Sequence, residues 1–190
     1  MSISLVVVRH GRTAFNIEDR YLGALDPPLD AVGIEQAAAL AHALPAALGG
    51  RPTALTCSPR LRARQTAAIL ATAWRLEASV IDAFAERNVG VYEGLTREEA
   101  QAAYPALWAQ DITRQWHAAP TGGESIQAVF DRVTAGLDRL RRDFQGQTVV
   151  LVAHGFVAKV IRAILTDLSR EEFFRYALKN GEFARYQLTT

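Results

Sequence analysis

A single cysteine, Cys57, stands among the 190 residues, so no disulfide can close within the chain and a cysteine-based zinc site is excluded. Neither sign of charge is in excess: 21 basic and 20 acidic residues give a formal net charge of +1. The surface therefore has no global field to gather nucleic acid or an anionic membrane, and any anion site must be local. No run reaches the roughly 18 apolar residues of a membrane helix. The apolar start, Ile3 to Val8, is too short for a signal h-region and has no basic segment before it. Internal repeats and low-complexity segments are also missing. These absences lead us to expect a complete, cytoplasmic chain with neither nucleic acid nor membrane as partner.

With 49% hydrophobic and 22% charged residues, the chain suits one domain over residues 1–190 with a real core. Strand-like and helix-like patterns alternate, which predicts an α/β three-layer sandwich, a mostly parallel sheet with helices on both faces. Strands are expected near Leu5–Val8, Thr53–Cys57, Ser79–Ile81 and Thr148–Val152, with Ala184–Leu188 as an edge strand. Asp30 is placed to cap a helix whose face is Ile34, Ala37, Ala41, Leu44 and Leu48, and Pro45 is expected to end or bend it. Ser58-Pro59 reads as a cap and first-turn proline of a helix to about Ala73. Gly122-Gly123 opens the clearest helix, striped by Ile126, Val129, Val133, Leu137, Leu140 and Phe144. A mostly apolar helix follows from Phe156 to Leu165. Residues 96–122 look less regular, carry Tyr104, Trp108, Trp116 and His117, and are expected to form a lid-like segment.

Two of the apolar runs end alike. Leu5-Val6-Val7-Val8 leads into Arg9-His10-Gly11, and Val149-Val150-Leu151-Val152 leads into Ala153-His154-Gly155. Two imidazoles are thus offered at the carboxyl ends of two strands, where open parallel sheets bind ligands. Arg9 continues a buried strand and needs an anion or a carboxylate as partner. A bound phosphate satisfies it, and a neutral His10 becomes a competent nucleophile towards phosphorus if its other ring nitrogen is held by a backbone acceptor. Phosphoryl transfer asks mainly for positioning and for cations on the equatorial oxygens. Arg62, in the first turn of its helix, is the best second cation, whereas Arg60 and Arg64 read as a solvated face. The leaving oxygen also needs a proton, and spacing alone leaves Glu86, Glu93 and Glu98 equally placed to give it.

These residues resemble the histidine phosphatase superfamily, the branch with cofactor-dependent phosphoglycerate mutases and their phosphatase relatives. The matching blocks are Val8 to Asn16, Ser58 to Ala67, Glu86 through Gly90 to Glu93-Gly94, Gly122-Gly123-Glu124-Ser125, and Val152-Ala153-His154-Gly155. The resemblance covers essentially the whole chain and implies a phosphoglycerate mutase-like fold. It implies that His10 is phosphorylated, that Arg9, Arg62 and His154 hold the phosphoryl oxygens, and that Asn16 and the Gly155 backbone lend hydrogen bonds. Glu86 becomes the proton donor. Leu22, Gly23 and Tyr92 are carried as substrate-contacting residues. No metal and no cofactor are implied.

The expected activity is that of a phosphoric monoester hydrolase of histidine acid phosphatase type, acting on a small phosphorylated metabolite. Mutase-type phosphoryl transfer and a non-catalytic phosphate-binding protein are the alternatives. The tryptophan that mutases often place near Tyr21 to Asp26 is missing, and 190 residues leave no room for their extra enclosing segments. Tyr21, Tyr92, Trp108, Trp116 and His117 either line the pocket or pack the lid. A homodimer is the expected assembly.

Overall fold

The computed structural model describes residues 2–189. Its five strands are β1 (Ile3–Arg9), β2 (Ala54–Cys57), β3 (Ala78–Val80), β4 (Thr148–Ala153) and β5 (Phe183–Leu188). They form one sheet in the order β3-β2-β4-β1-β5, parallel except for β5, which pairs antiparallel with β1. Burial explains the continuous apolar runs: Val6, Val8, Val150 and Val152 point into one core and Leu5, Val7, Val149 and Leu151 into the other. After the one-turn helix α1 (Ala14–Ile17), helices α2 (Ala31–Leu48) and α3 (Leu61–Trp74) cover the first face. The opposite face is covered by α6 (Ile126–Asp143), α7 (Gly155–Thr166) and α8 (Arg170–Arg175). Thus the three-layer α/β architecture expected from the pattern is the one observed.

Several local expectations are corrected. Pro45 does not end α2, which runs on to Leu48. A proline costs a helix the bond to the carbonyl four residues back, and here that carbonyl, Ala41 O, accepts the indole N–H of Trp74 at 2.9 Å. Helix α3 begins at Leu61 with Arg60 at the cap position, so Pro59 lies outside it. Helix α6 starts at Ile126, because Ser125, not the glycine pair, accepts the Ala128 N–H. The 96–122 segment holds two short helices, α4 (Arg97–Ala103) and α5 (Pro105–Ala109), and a 3₁₀ turn at Ile112–Arg114. Finally, α2 is long and apolar enough to span a membrane by length and composition alone, which the residue-by-residue reading did not anticipate. In the fold, Ala37, Leu40, Ala41 and Leu44 bury that face in the core.

Candidate active site

β1 and β4 are adjacent and in parallel register, with Arg9 opposite Ala153. The residues that follow them, His10 and His154, are consequently brought together at one sheet edge, their ring centroids 5.1 Å apart. The His10 N–H donates to Ala153 O at 3.0 Å and carries the ladder one step further. Both histidines are almost sealed, 1% and 0% exposed. They adjoin Arg9 and Gly155, which line an open cavity of about 530 Å³.

The orientation of His10 follows from one contact. Its Nδ1 lies 2.7 Å from the carbonyl oxygen of Gly11. A carbonyl only accepts, so Nδ1 carries the ring hydrogen and Nε2 keeps the lone pair. Burial, and after it the nearby Arg62 and Arg9, push the His10 pKa well below the usual imidazole range. His10 is therefore neutral around neutral pH, with a free nucleophilic nitrogen. The turn that sets this geometry needs glycine: a Cβ on Gly11 would lie 2.2 Å from Gly33 O.

Cationic groups converge on the same place. Arg9 Nη1 donates to Leu178 O at 2.8 Å, and its Nε is buried with no partner among the described residues. Gly155 sits close against this guanidinium, where an added Cβ would be 3.3 Å from Arg9 Cζ. Arg62, fully buried, gives its Nη groups to Leu25 O (2.8 Å) and Gly23 O (3.2 Å) and lies 3.4 Å from Asp26 Oδ1. Its Nε alone is unpartnered. The contribution of Arg62 to the site is thus electrostatic as well as structural, since it ties down the 23–26 loop. Asn16 spends Oδ1 on Thr13 N and Oγ1 and on Asn180 Nδ2, which leaves the amide N–H₂ group outside these bonds. Arg12, by contrast, turns away to Asp30.

The geometry separates the three glutamates that spacing left equal. Glu86 lines the cavity, its carboxylate accepting Arg87 N at 2.9 Å and Phe156 N, in the first turn of α7, at 3.3 Å. Glu93 is consumed by the backbone: it accepts Ala24 N at 2.7 Å, Leu25 N at 2.9 Å and Val89 N at 3.3 Å. Glu98 lies in the first turn of α4, outside the cavity.

Leu22, Gly23, Asn16 and Gly155 also line the cavity. Tyr92 does not, and its expected substrate contact is corrected. Its ring is fully buried in a satellite core, 5.6 Å from Tyr21, 5.9 Å from Tyr104 and 6.5 Å from Trp108 by centroid. That core anchors α4, α5 and the Ile112–Arg114 turn, and an apolar ring is worth more there than at a polar cavity wall. Trp108 belongs to the same cluster, Trp116 packs on Phe130 and Phe173, and His117 is not a lining residue. Of the five aromatic and histidine candidates only Tyr21 reaches the cavity.

Sequence reasoning missed Arg87, Arg114, Phe156 and Asn180 in the wall. Arg87 is 3% exposed, stacks over the Phe156 ring at 4.9 Å, and donates to Glu124 O and Thr113 O. Its place directly after Glu86 was the signal available. Asn180 gives no local signal: its amide reaches His10 O at 3.0 Å from 170 residues away.

The model of the histidine phosphatase superfamily (branch 1) matches residues 5–190. The chain belongs to that superfamily. Over 193 residues it is 31% identical to a 2,3-bisphosphoglycerate-dependent phosphoglycerate mutase of Rhizobium meliloti, covering 99% of this chain and 91% of that protein. A bifunctional protein of Mycobacterium tuberculosis is 36% identical over 177 residues, 92% of this chain but 47% of its own length. The chain thus spans about half the length of that relative. Among solved structures, a mycobacterial glucosyl-3-phosphoglycerate phosphatase complexed with VO3 superposes with a TM-score of 0.85 at 29% identity, over 96% of this chain and 91% of that one. Within the superfamily the neighbours are phosphatases and mutases, and the fold is phosphoglycerate mutase-like.

Proposed function

We propose that the chain is a metal-independent phosphomonoesterase of histidine acid phosphatase type, acting on a small phosphorylated metabolite through a phosphohistidine on His10. The observation that carries the reading is the His10 Nδ1 to Gly11 O hydrogen bond, which leaves Nε2 as a buried lone pair beside Arg9 and Arg62. In the first step the Nε2 lone pair forms a bond to phosphorus while the ester P–O bond breaks, and Glu86 delivers a proton to the leaving oxygen. In the second, Glu86 takes a proton from water, the water oxygen bonds to phosphorus, and the P–N bond breaks to return neutral His10 and inorganic phosphate. Arg9, Arg62, His154, Asn16 and the Gly155 N–H stabilise the equatorial oxygens. The reading places the enzyme in the cytoplasm, where a lone thiol stays reduced, and includes a homodimer as its assembly.

The test is a rapid-mix trapping experiment with a phosphomonoester. An acid-labile phosphoryl label on His10, turnover that survives EDTA, and loss of both label and turnover in His10→Ala are expected. Turnover that persists in His10→Ala, or that EDTA abolishes and added metal restores, removes the reading. Assaying 3-phosphoglycerate beside a phosphomonoester panel separates hydrolase from mutase, with release of inorganic phosphate as the expected outcome.

A further inference from the structure

Ser58 follows β2 and is fully buried, its hydroxyl 2.6 Å from Nε2 of His154. The same oxygen accepts the Arg60 backbone N–H at 3.2 Å. A serine hydroxyl has one proton to give, and among the described residues its only other hydrogen bond is one it accepts. A neutral imidazole carries one N–H and one lone pair. Were Nε2 protonated, two donors would face each other at 2.6 Å, or the buried serine proton would be left without an acceptor, at the full desolvation cost of that group. Nε2 is therefore the acceptor, and the ring hydrogen sits on Nδ1. That atom is buried and has no partner among the described residues.

We propose that Ser58 is a positioning residue which locks His154 as the Nδ1–H tautomer, so that this ring presents a neutral N–H donor to a phosphoryl oxygen. The inference rests on the phosphoryl-transfer reading above and adds to it the state of the second histidine. Both imidazoles then carry hydrogen on Nδ1, yet they use it in opposite ways. His10 spends its N–H on Gly11 O and offers a lone pair, whereas His154 spends its lone pair on Ser58 and offers an N–H. A neutral donor also avoids placing one more positive charge among Arg9, Arg60 and Arg62.

Two-bond ¹H–¹⁵N correlation spectra of the resting, ligand-free enzyme read the tautomer directly. The wild-type protein is expected to show His154 with a protonated Nδ1 and a bare Nε2. Ser58→Ala is expected to shift the pattern toward Nε2–H, to weaken orthovanadate binding about tenfold and to lower kcat by a similar factor. Ser58→Thr, which keeps the hydroxyl, is expected to retain the wild-type pattern and most of the activity. A wild-type ring protonated on Nε2, or an unchanged tautomer in Ser58→Ala, overturns the inference. The wild-type spectrum decides the matter even if Ser58→Ala does not fold. Because the spectrum needs no turnover, its failure leaves the phosphohistidine reading standing, and the latter is removed by the His10→Ala and EDTA outcomes named above.

Discussion

Trp74 donates its indole N–H to the carbonyl of Ala41, the acceptor that Pro45 leaves unfilled in its own helix. A residue of α3 thus completes a hydrogen bond that α2 cannot make for itself. Trp74→Phe strands a buried carbonyl and should cost about 2 kcal/mol, read as a lower urea midpoint. Adding Pro45→Ala supplies an amide N–H to the same carbonyl and should recover part of that loss. No recovery in the double variant would show that packing of the indole, not its hydrogen bond, carries the effect.

Glu86 should matter in proportion to the leaving group's need for a proton. Glu86→Gln is expected to slow hydrolysis of alkyl phosphates at least about 100-fold, while p-nitrophenyl phosphate, whose leaving group needs little protonation, should lose far less. Equal losses on the two substrates would point to another acid.

Two buried histidines make both activity and stability depend on pH. Burial and neighbouring arginines hold the pKa values of His10 and His154 well below 6.5. The acidic limb of kcat/KM should accordingly fall below pH 6.5 rather than near it. For stability, the unfolded chain binds protons on these rings below about 6.5 while the folded one does not. The stabilisation is thus fully present above that pH and is lost as pH falls toward the depressed folded values. Urea midpoints measured at pH ~7.5 and ~5.5 should differ in that direction, and less so in His154→Asn. An equal dependence in the variant would assign the effect elsewhere.

Gly11 and Gly33 meet backbone to backbone, an added Cβ on Gly11 falling 2.2 Å from Gly33 O. Neither backbone can yield as a side chain would. Gly11→Ala should destabilise the fold by roughly 3 kcal/mol and displace the carbonyl that orients His10. Thermal unfolding and phosphoryl-trapping yield should drop together; a stable but inactive variant would mean that the turn yields locally.

The sheet and its two histidines were legible because continuous apolar runs mark buried strands, and each ended in a chemically distinct His-Gly pair. The Glu86 choice was not legible from spacing, since what separates it from Glu93 is the set of three backbone N–H groups that the latter accepts, two from the distant 24–25 loop and one from nearby Val89. That Pro45 does not end its helix was not legible for a similar reason: helix propensity carries no record of an indole 33 residues beyond Ala41. Tyr92 was misplaced because an aromatic beside a loop glutamate reads the same whether it faces ligand or a satellite core.

The stretch from Leu178 to Glu182 closes the site from the far end of the chain. Leu178 O accepts Arg9, Asn180 holds His10 O, Gly181 N donates to Arg9 O, and Glu182 O accepts Arg9 N. During synthesis, therefore, His10 is made 170 residues before Asn180, and it and Arg9 stay unbraced until this stretch emerges. Until then the proposed nucleophile lacks the frame that fixes its backbone, so the site forms only after this stretch has been made and folded back onto β1.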